Sequence, residues 1–375
     1  MDSSRKIIHW LVVFCFSQLL FAASKPGEFQ SLFNGRDLSG WVEMGVPGGF
    51  EVENGDLVLK NPRYYPNWLR SEEEYENFEL SLEYRMPGWS EAGIVLHAPL
   101  YGRISRSGIK IHLRHNNHDE GSHSVGAIYG VLPPLSLSSI EKEWNKLMVV
   151  LDWPVLRVEL NGTVVQNANM EEHPELRWRL RRGFIGLQDL GREIHFRNIA
   201  IRKLPGSENW IELFNGKNLE GWTIQGEAHW KAKGGTIVAS NGDGYLITDQ
   251  SFSSFEFQTY VRTSKHANGG IYYRWGSDQQ RIGYEAQIYN ILDTTNPTGS
   301  IYGVVPALDP DSRDGEWFFM QIISDGPFSA IRINGKTVAQ SDALTLPDRG
   351  RIAIQMHQRD SQIEFRGLRV RKLSP

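Results

Sequence analysis

The stretch Leu32-Phe33-Asn34-Gly35, with Gly40-Trp41 behind it, recurs as Leu213-Phe214-Asn215-Gly216 with Gly221-Trp222. Such a repeat decides the architecture, because two copies of one sequence pattern fold as two copies of one structure. Further motifs recur in the same order: Gly126–Gly130 with Gly299–Gly303, Glu143-Trp144 with Glu316-Trp317, Asn161-Gly162 with Asn334-Gly335, and Phe196-Arg197 with Phe365-Arg366. The spacing between equivalent motifs drifts along the chain, as expected for loops that differ in length.

Within each copy the residues favour strands and turns. The segments Phe78–Tyr84 and Phe255–Val261 alternate apolar and polar residues, which is typical of a strand with one buried face. Asn161-Gly162 and Asn334-Gly335 each separate two such runs and predict tight hairpins. The 37 glycines, 17 prolines and 11% aromatic residues fit a turn-rich β protein. We therefore predict an all-β protein made of two sandwich or jelly-roll domains.

The length and charge agree with this division. A chain of 375 residues exceeds the usual size of one domain. The turn-forming Pro205-Gly206-Ser207 marks a linker, so we predict domains over 25–205 and 206–375. The net charge of −4, without a block of lysine and arginine, predicts no nucleic-acid or anionic-membrane partner.

The first 24 residues have the order of a secretory signal. Arg5 and Lys6 precede an apolar run over Ile7–Phe21, and the small residues Ala22–Ser24 follow it. The run is shorter than the ~20 residues of a spanning helix, although an N-terminal membrane anchor is the alternative. We expect cleavage and export to the periplasm or outside the cell, without stable membrane insertion afterwards. The only cysteine, Cys15, would leave with the signal.

A family resemblance emerges from the motifs of the second copy. These are the Leu213–Gly216 opening, the strand that ends in Arg274, Gly283–Ile288, Gly299–Gly303, Glu316-Trp317, and Ile354–His357 before Phe365-Arg366. Together they resemble the 3-keto-disaccharide hydrolase domain, over nearly all of the chain after the signal. The resemblance implies concanavalin-like jelly rolls and cleavage of the glycosidic bond in sugars already oxidised to a ketone at C3. The implied partner is an oligosaccharide or glycoside substrate.

The two copies differ at polar positions that would carry such chemistry. Where the second copy has Arg274, Glu285, Gln287 and His357, the first has His97, Lys110, His112 and Leu190. The second copy therefore keeps the family's polar set. The first copy is either inactive or takes a different ligand.

A ketone at C3 makes the C2 proton acidic, so a base and a cation near the enolate oxygen can expel the C1 substituent. We expect His357, Glu285 or Asp293 to be the base and Arg274 to stabilise the enolate. In a structural alternative, Glu285 and Arg274 form an ion pair across adjacent strands and His357 only ends a strand.

Other residues of the second copy would bind the sugar. We expect Gln287, Tyr284 and Tyr302 to position hydroxyl groups. Trp275 is a candidate platform for a sugar ring, because it lies beside Arg274 and does not recur in the first copy. The tryptophans that do recur favour packing: Trp41, Trp144, Trp222 and Trp317.

Ordinary glycoside hydrolysis and metal chemistry are weaker alternatives. The former needs two carboxylates, and only Glu285 is acidic on its strand, with Asp293 as a possible second. Two segments could offer metal ligands: the first holds His112, His115, His118, Asp119 and His123, and the second is the acidic turn Asp309–Glu316. Neither matches a metal motif, so no metal site is predicted and a divalent metal stays an open alternative.

The rival functions are non-catalytic, lectin-like carbohydrate binding and a structural or adhesive role, since a fold does not define a function. Convergence of Arg274, Glu285 and His357 in one pocket would favour an enzyme, and a flat aromatic face would favour a binder.

Overall fold

The computed structural model of this protein describes residues 27–60, 67–116, 121–190, 192–206, 209–276, 283–291 and 293–373. The predicted signal segment 1–24, with Cys15, lies outside these residues. Within the described ranges, no helix is long and apolar enough to span a membrane.

The first copy consists of strands and one short helix. In chain order they are β1 (Gln30–Ser31), β2 (Trp41–Met44), β3 (Phe50–Glu53), β4 (Asp56–Leu59), β5 (Asn67–Tyr75), β6 (Phe78–Arg85), β7 (Glu91–Ala98), α1 (Ile104–Ser107), β8 (Ile109–Arg114), β9 (Asn145–Asp152), β10 (Val155–Leu160), β11 (Thr163–Asn169), β12 (Gly183–Asp189) and β13 (Ile194–Lys203).

The second copy repeats the pattern of strands. They are β14 (Trp210–Glu212), β15 (Trp222–Gly226), β16 (His229–Lys233), β17 (Thr236–Ser240), β18 (Gly244–Phe252), β19 (Phe255–Thr263), β20 (Gly269–Trp275), β21 (Tyr284–Ile288), β22 (Phe318–Asp325), β23 (Phe328–Ile333), β24 (Lys336–Ser341), β25 (Gly350–Met356) and β26 (Gln362–Lys372).

Each copy folds into two antiparallel sheets, as predicted for a β-sandwich. The larger sheet of the first copy has the order β11-β10-β9-β6-β13-β4-β3, with β1 beside β13, and the smaller has the order β2-β5-β12-β7-β8. The larger sheet of the second copy has the order β16-β17-β26-β19-β22-β23-β24, with β14 beside β26, and the smaller has the order β15-β18-β25-β20-β21. The two copies therefore share one topology.

The apolar positions of the alternating strands form a separate core in each copy. In β6, Phe78, Leu80 and Leu82 point into the first core, and in β19, Phe255 and Phe257 point into the second. Burying such apolar faces stabilises the fold by roughly 25 cal/mol per Å² of apolar surface. The two sheets of each copy therefore pack face to face around the core.

The two predicted hairpins are present. Asn161 and Gly162 have φ values of 51° and 79°, and Asn334 and Gly335 have φ values of 48° and 80°. Two successive residues with positive φ make the turn whose twist matches antiparallel strands. The first hairpin joins β10 to β11, and the second joins β23 to β24.

The outer face of the larger sheet in the second copy is buried, whereas its counterpart in the first copy is partly open. Glu256 is 1% exposed and binds Arg371, with 2.7 Å between Oε2 and the guanidinium. Gln321 donates to the Glu256 carboxylate at 2.8 Å and also to the Trp178 carbonyl oxygen of the first copy at 3.2 Å. Arg369 reaches Glu74 of the first copy at 3.0 Å. A buried polar network therefore joins the two copies.

Apolar contacts surround this network. Leu180 of the first copy packs with Tyr260 and Phe319 of the second in a buried cluster. The rings of Tyr101 and Trp317 stack across the interface, with 5.3 Å between their centroids. Because aromatic contacts and satisfied charges are combined here, we conclude that the copies form one packed unit.

Replacing Glu256 by Ala is expected to lower the free energy of unfolding by about 3–5 kcal/mol, because Arg371 would stay buried without its carboxylate. Chemical denaturation of the whole chain measures this change. The matched control is Glu73→Ala, whose pair with Lys203 has side chains 65% and 52% exposed, so a loss of about 0–1 kcal/mol is expected. Equal losses in the two variants would contradict the buried network.

Candidate functional site

The outer face of the smaller sheet in the second copy carries the predicted polar set. In β21, Ala286 and Ile288 point into the core, so the alternation turns Glu285 and Gln287 outward. The neighbouring strand β20 places Gly270 opposite Gln287 and Tyr272 opposite Glu285. The pleat therefore assembles one polar surface from several strands.

Glu285 is the central group of this surface. Its side chain lies over Gly270, where a Cβ atom would come within 2.1 Å of Oε1. The residue is 7% exposed, and burial raises the pKa of its carboxyl to about 7, although a hydrogen bond from Tyr272 and the charge of His357 act to lower it. Glu285 therefore changes its protonation state near neutral pH.

Amide side chains surround the carboxyl. In the amide orientation that its neighbours favour, the Gln287 nitrogen donates to Glu285 Oε1 at 2.9 Å. Gln355 follows Ile354 in β25 and therefore points outward, where its nitrogen donates to the Tyr245 hydroxyl at 3.2 Å. These groups can hydrogen-bond the hydroxyl groups of a sugar.

His357 lies at the open side of the site. It follows the last residue of β25, and its backbone N–H donates to the Asn268 carbonyl oxygen at 3.0 Å. Its side chain is 52% exposed, and Nδ1 lies 3.5 Å from Oδ2 of Asp243. An exposed imidazole beside a carboxylate can hold or deliver a proton.

A β-bulge separates Arg274 from the site. Arg274 has a φ of 56°, and the register between β20 and β25 shifts between Tyr272 and Trp275. The Arg274 side chain is 1% exposed and lies 3.2 Å from Asp348. It donates to the Ser324 hydroxyl at 3.0 Å and to backbone carbonyl oxygens at Leu346 and Gly326. The structure thus places His357 close enough for its charge to act on Glu285, and it leaves Arg274 in a structural clamp, in which its partner is Asp348 instead of Glu285.

The same bulge turns Trp275 onto the outer face. Its ring packs against Tyr245 and Tyr272, with centroids at 4.9 Å and 5.3 Å. However, Trp275 is only 3% exposed, so it does not fit an open platform for a sugar ring. Tyr272 is the less buried member of this cluster.

The remaining predicted residues lie around the site. Tyr284 faces the core side, packs on Tyr273, and accepts hydrogen bonds from the backbone of Thr345 and Leu346 at 2.8 Å and 3.0 Å. The backbone N–H of Tyr302 donates to the Glu285 carbonyl oxygen at 2.9 Å, and its side chain is largely exposed. Asp293 is exposed in a bend outside the strands. Tyr284 thus belongs to the site strand but faces the core, whereas Tyr302 is hydrogen-bonded to that strand and has an exposed ring.

The first copy carries a cation in the position of Glu285. Lys110 lies over Gly93, where a Cβ atom would come within 2.3 Å of its Cε atom. Its ammonium sits 4.3 Å from the centroid of the Tyr129 ring, and burial lowers its pKa to about 8. His112, in the position of Gln287, is 1% exposed. The equivalent faces of the two copies therefore differ in charge.

The described residues of the histidine-rich and acidic segments form no metal cluster. Among the described residues, no group of three or more His, Cys, Asp or Glu side chains could hold a metal ion. His118 and Asp119 lie outside the described residues. In the acidic turn, Asp311 pairs with Arg103 at 2.7 Å, and Asp314 accepts from Thr263 at 2.8 Å. These two carboxylates are therefore already paired with other side chains of the protein.

Sequence reasoning missed Tyr272, Gln355 and Tyr245 as members of the site. Tyr272 and Gln355 stand at alternate positions from the core residues of their own strands, which is a usable signal. The position of Tyr245 depends on which strand pairs with β25, and only the sheet order provides that information.

Comparisons with known proteins agree with the repeat. Residues 28–202 and 209–371 both match the 3-keto-alpha-glucoside-1,2-lyase-like domain. A 3-keto-disaccharide hydrolase of Bacteroides thetaiotaomicron is 27% identical over 147 residues, which cover 30% of this chain and 51% of that protein. The match therefore spans about half the length of this relative.

Solved structures with a similar shape cover about one copy. A candidate glycosyl hydrolase from Parabacteroides distasonis is 24% identical with a TM-score of 0.42, over 48% of this chain and 100% of the other. The carbohydrate binding module CBM66 from Bacillus subtilis is 17% identical with a TM-score of 0.31, over 40% of this chain and 96% of the other.

Because the pKa of Glu285 is raised in the folded chain, we expect the free energy of unfolding to depend on pH. The unfolded chain releases this proton near its ordinary pKa of 4.5, whereas the folded chain holds it until about pH 7. The contribution of Glu285 to stability should therefore fall as the pH rises from about 4.5 to 7, by roughly 3 kcal/mol.

Urea unfolding at several pH values measures this effect, and Glu285→Gln should flatten the profile over that range. Glu51→Gln, at an exposed position, is the control and should leave the profile unchanged. A wild-type profile that does not fall relative to Glu285→Gln would show that Glu285 has an ordinary pKa.

Proposed function

Since the chain belongs to the family of 3-keto-alpha-glucoside-1,2-lyase-like domains, with one copy in each half, we propose that its second copy cleaves the glycosidic bond of 3-keto-glycosides or 3-keto-disaccharides. At the level of the family, the chain is a carbohydrate hydrolase. The narrower substrate and the assignment to the second copy are our proposal.

The observation that carries the proposal is the environment of Glu285. A carboxyl group with a pKa of about 7 is half deprotonated near neutral pH, which suits a general base. The Glu285 side chain lies over Gly270 on the outer face of the sheet, near the side chains of Tyr272, Gln287 and His357. A purely structural carboxylate at 7% exposure would be expected to pair with a cation, as Glu256 does with Arg371.

In the proposed reaction the Glu285 carboxylate removes the proton from C2 of the sugar. The electron pair of that C–H bond forms the enolate of the C3 ketone, and the enolate then expels the oxygen at C1. The bond from C1 to the glycosidic oxygen breaks, a C1–C2 double bond forms, and the leaving oxygen takes up a proton. Addition of water across the double bond completes a net hydrolysis.

The surrounding donors take the role predicted for Arg274. The imidazole of His357, held beside Asp243, can donate a hydrogen bond from a ring N–H to the leaving oxygen or to the enolate oxygen. The amide of Gln355 offers a further donor toward the sugar hydroxyls, and the exposed ring of Tyr302 extends the surface at the site strand. An isolated glutamate with such neighbours suits elimination better than the two-carboxylate route.

Replacing Glu285 by Gln should lower kcat on a 3-keto-glucoside by roughly 10²–10⁴-fold, because the amide cannot accept the C2 proton. The measurement is release of the aglycone, with the unoxidised glucoside as the substrate control. Lys110→Met, at the matching position of the first copy, should retain the activity. Undiminished turnover in Glu285→Gln would remove this residue from the base role, and saturable binding without any cleavage would favour a carbohydrate-binding protein.

The pH profile separates Glu285 from His357. For the wild type, kcat/KM should rise with pH through about 7 as the base loses its proton. Replacing His357 by Gln should lower kcat and leave this ascending limb in place. If His357→Gln instead removes the limb, the histidine is the base.

A further inference from the structure

A cleft between the two copies carries an excess of positive charge. It has a volume of about 680 Å³, within the range of roughly 300–1,000 Å³ of small-molecule sites. Its charged lining residues are Arg106, Arg179, Arg332, Lys336 and Glu175. The first copy contributes Arg106 and Arg179 from α1 and the segment before β12, and the second contributes Arg332 and Lys336 from β23 and β24.

Two of these cations are buried without a carboxylate partner. Arg179 is 6% exposed and Arg332 is 4% exposed, and among the described residues neither forms an ion pair. Arg179 donates to backbone carbonyl oxygens at Ser105 and Gly108, at 2.9 Å and 3.1 Å. The charge of Arg332 adds to burial in lowering the pKa of Arg179, so the two guanidinium groups repel each other, whereas the charge of Glu175 acts to raise the pKa of both.

The Arg332 guanidinium also keeps an unused donor. Its terminal nitrogens donate to the Gly335 carbonyl oxygen and, at 3.3 Å, to the Thr337 hydroxyl. Its Nε atom is buried and has no hydrogen-bond partner. A buried donor without an acceptor loses its hydrogen bond to water without a replacement, and the loss is greatest for a charged group. An anion in the cleft would offset the repulsion between the two arginines.

The remaining lining favours a sugar over a simple ion. The half-buried ring of Tyr129 lines the same cleft and also covers Lys110 on the outer face of the first copy. An aromatic face beside cationic donors suits a sugar ring that carries a carboxylate. We propose that the cleft between the copies binds an acidic saccharide, with its carboxylate at Arg179 and Arg332.

Calorimetry on the whole chain tests this proposal with cellobiouronic acid and cellobiose, which differ by one carboxylate. We expect the acid to bind, more weakly at high salt, and cellobiose to give no measurable heat. Replacing Arg332 by Met should weaken the binding of the acid roughly tenfold to a hundredfold, because a charge-assisted hydrogen bond is lost. Since Arg332 is buried, the exposed Arg106→Glu provides a second variant that does not disturb the core.

The controls locate the ligand. Arg36→Glu changes an exposed arginine of the first copy that does not line this cleft, so it should retain binding. Glu285→Gln should also retain binding, and loss of binding there would place the ligand in the second copy's site and overturn the proposal. Equal binding of both sugars, or unchanged affinity in both Arg332→Met and Arg106→Glu, would overturn it as well. If sulfate alone binds as tightly as the acid, the cleft recognises a simple anion, and the proposal of an acidic saccharide is wrong.

Discussion

The alternation of side chains along each strand is the constraint on which the rest of this structure depends. Once Phe255 and Phe257 are committed to the core, Glu256 must point to the other side of the sheet. The same rule in β21 commits Ala286 to the core and Glu285 to the outer face. One geometric period therefore builds the cores, the joint between the copies and the candidate site.

The two copies use this common frame for different purposes. Glycines at equivalent positions, Gly93 and Gly270, each make room for a long charged side chain, which is Lys110 in one copy and Glu285 in the other. Burial shifts both pKa values toward neutrality, to about 8 and about 7. The frame thus supports a proton acceptor in one copy and a cation in the other, which fits different ligands on a shared fold.

The site itself was only partly predictable. Glu285 and Gln287 could be placed by simple alternation, and His357 by its position at the end of a strand. Arg274 could not be placed in this way, because the bulge at its positive φ adds one residue to the strand and reverses the side on which Trp275 is expected. His97, at a φ of 51°, occupies the corresponding position in the first copy. The local sequence does not predict such a bulge, because the stability of the bulge depends on the strand that pairs with it.

The sequence by itself determined the repeat, the all-β class, the hairpins and the family, because these depend on local periodicity and on motif order. Tertiary structure alone decided which polar faces leave water. In β6 the outward residues stay partly exposed, whereas in β19 Glu256 and Gln258 are buried although the two strands alternate alike. The physical reason is that burial of an outward face depends on a surface distant in the chain, here the segment around Trp178 that packs over it. No local pattern encodes that contact.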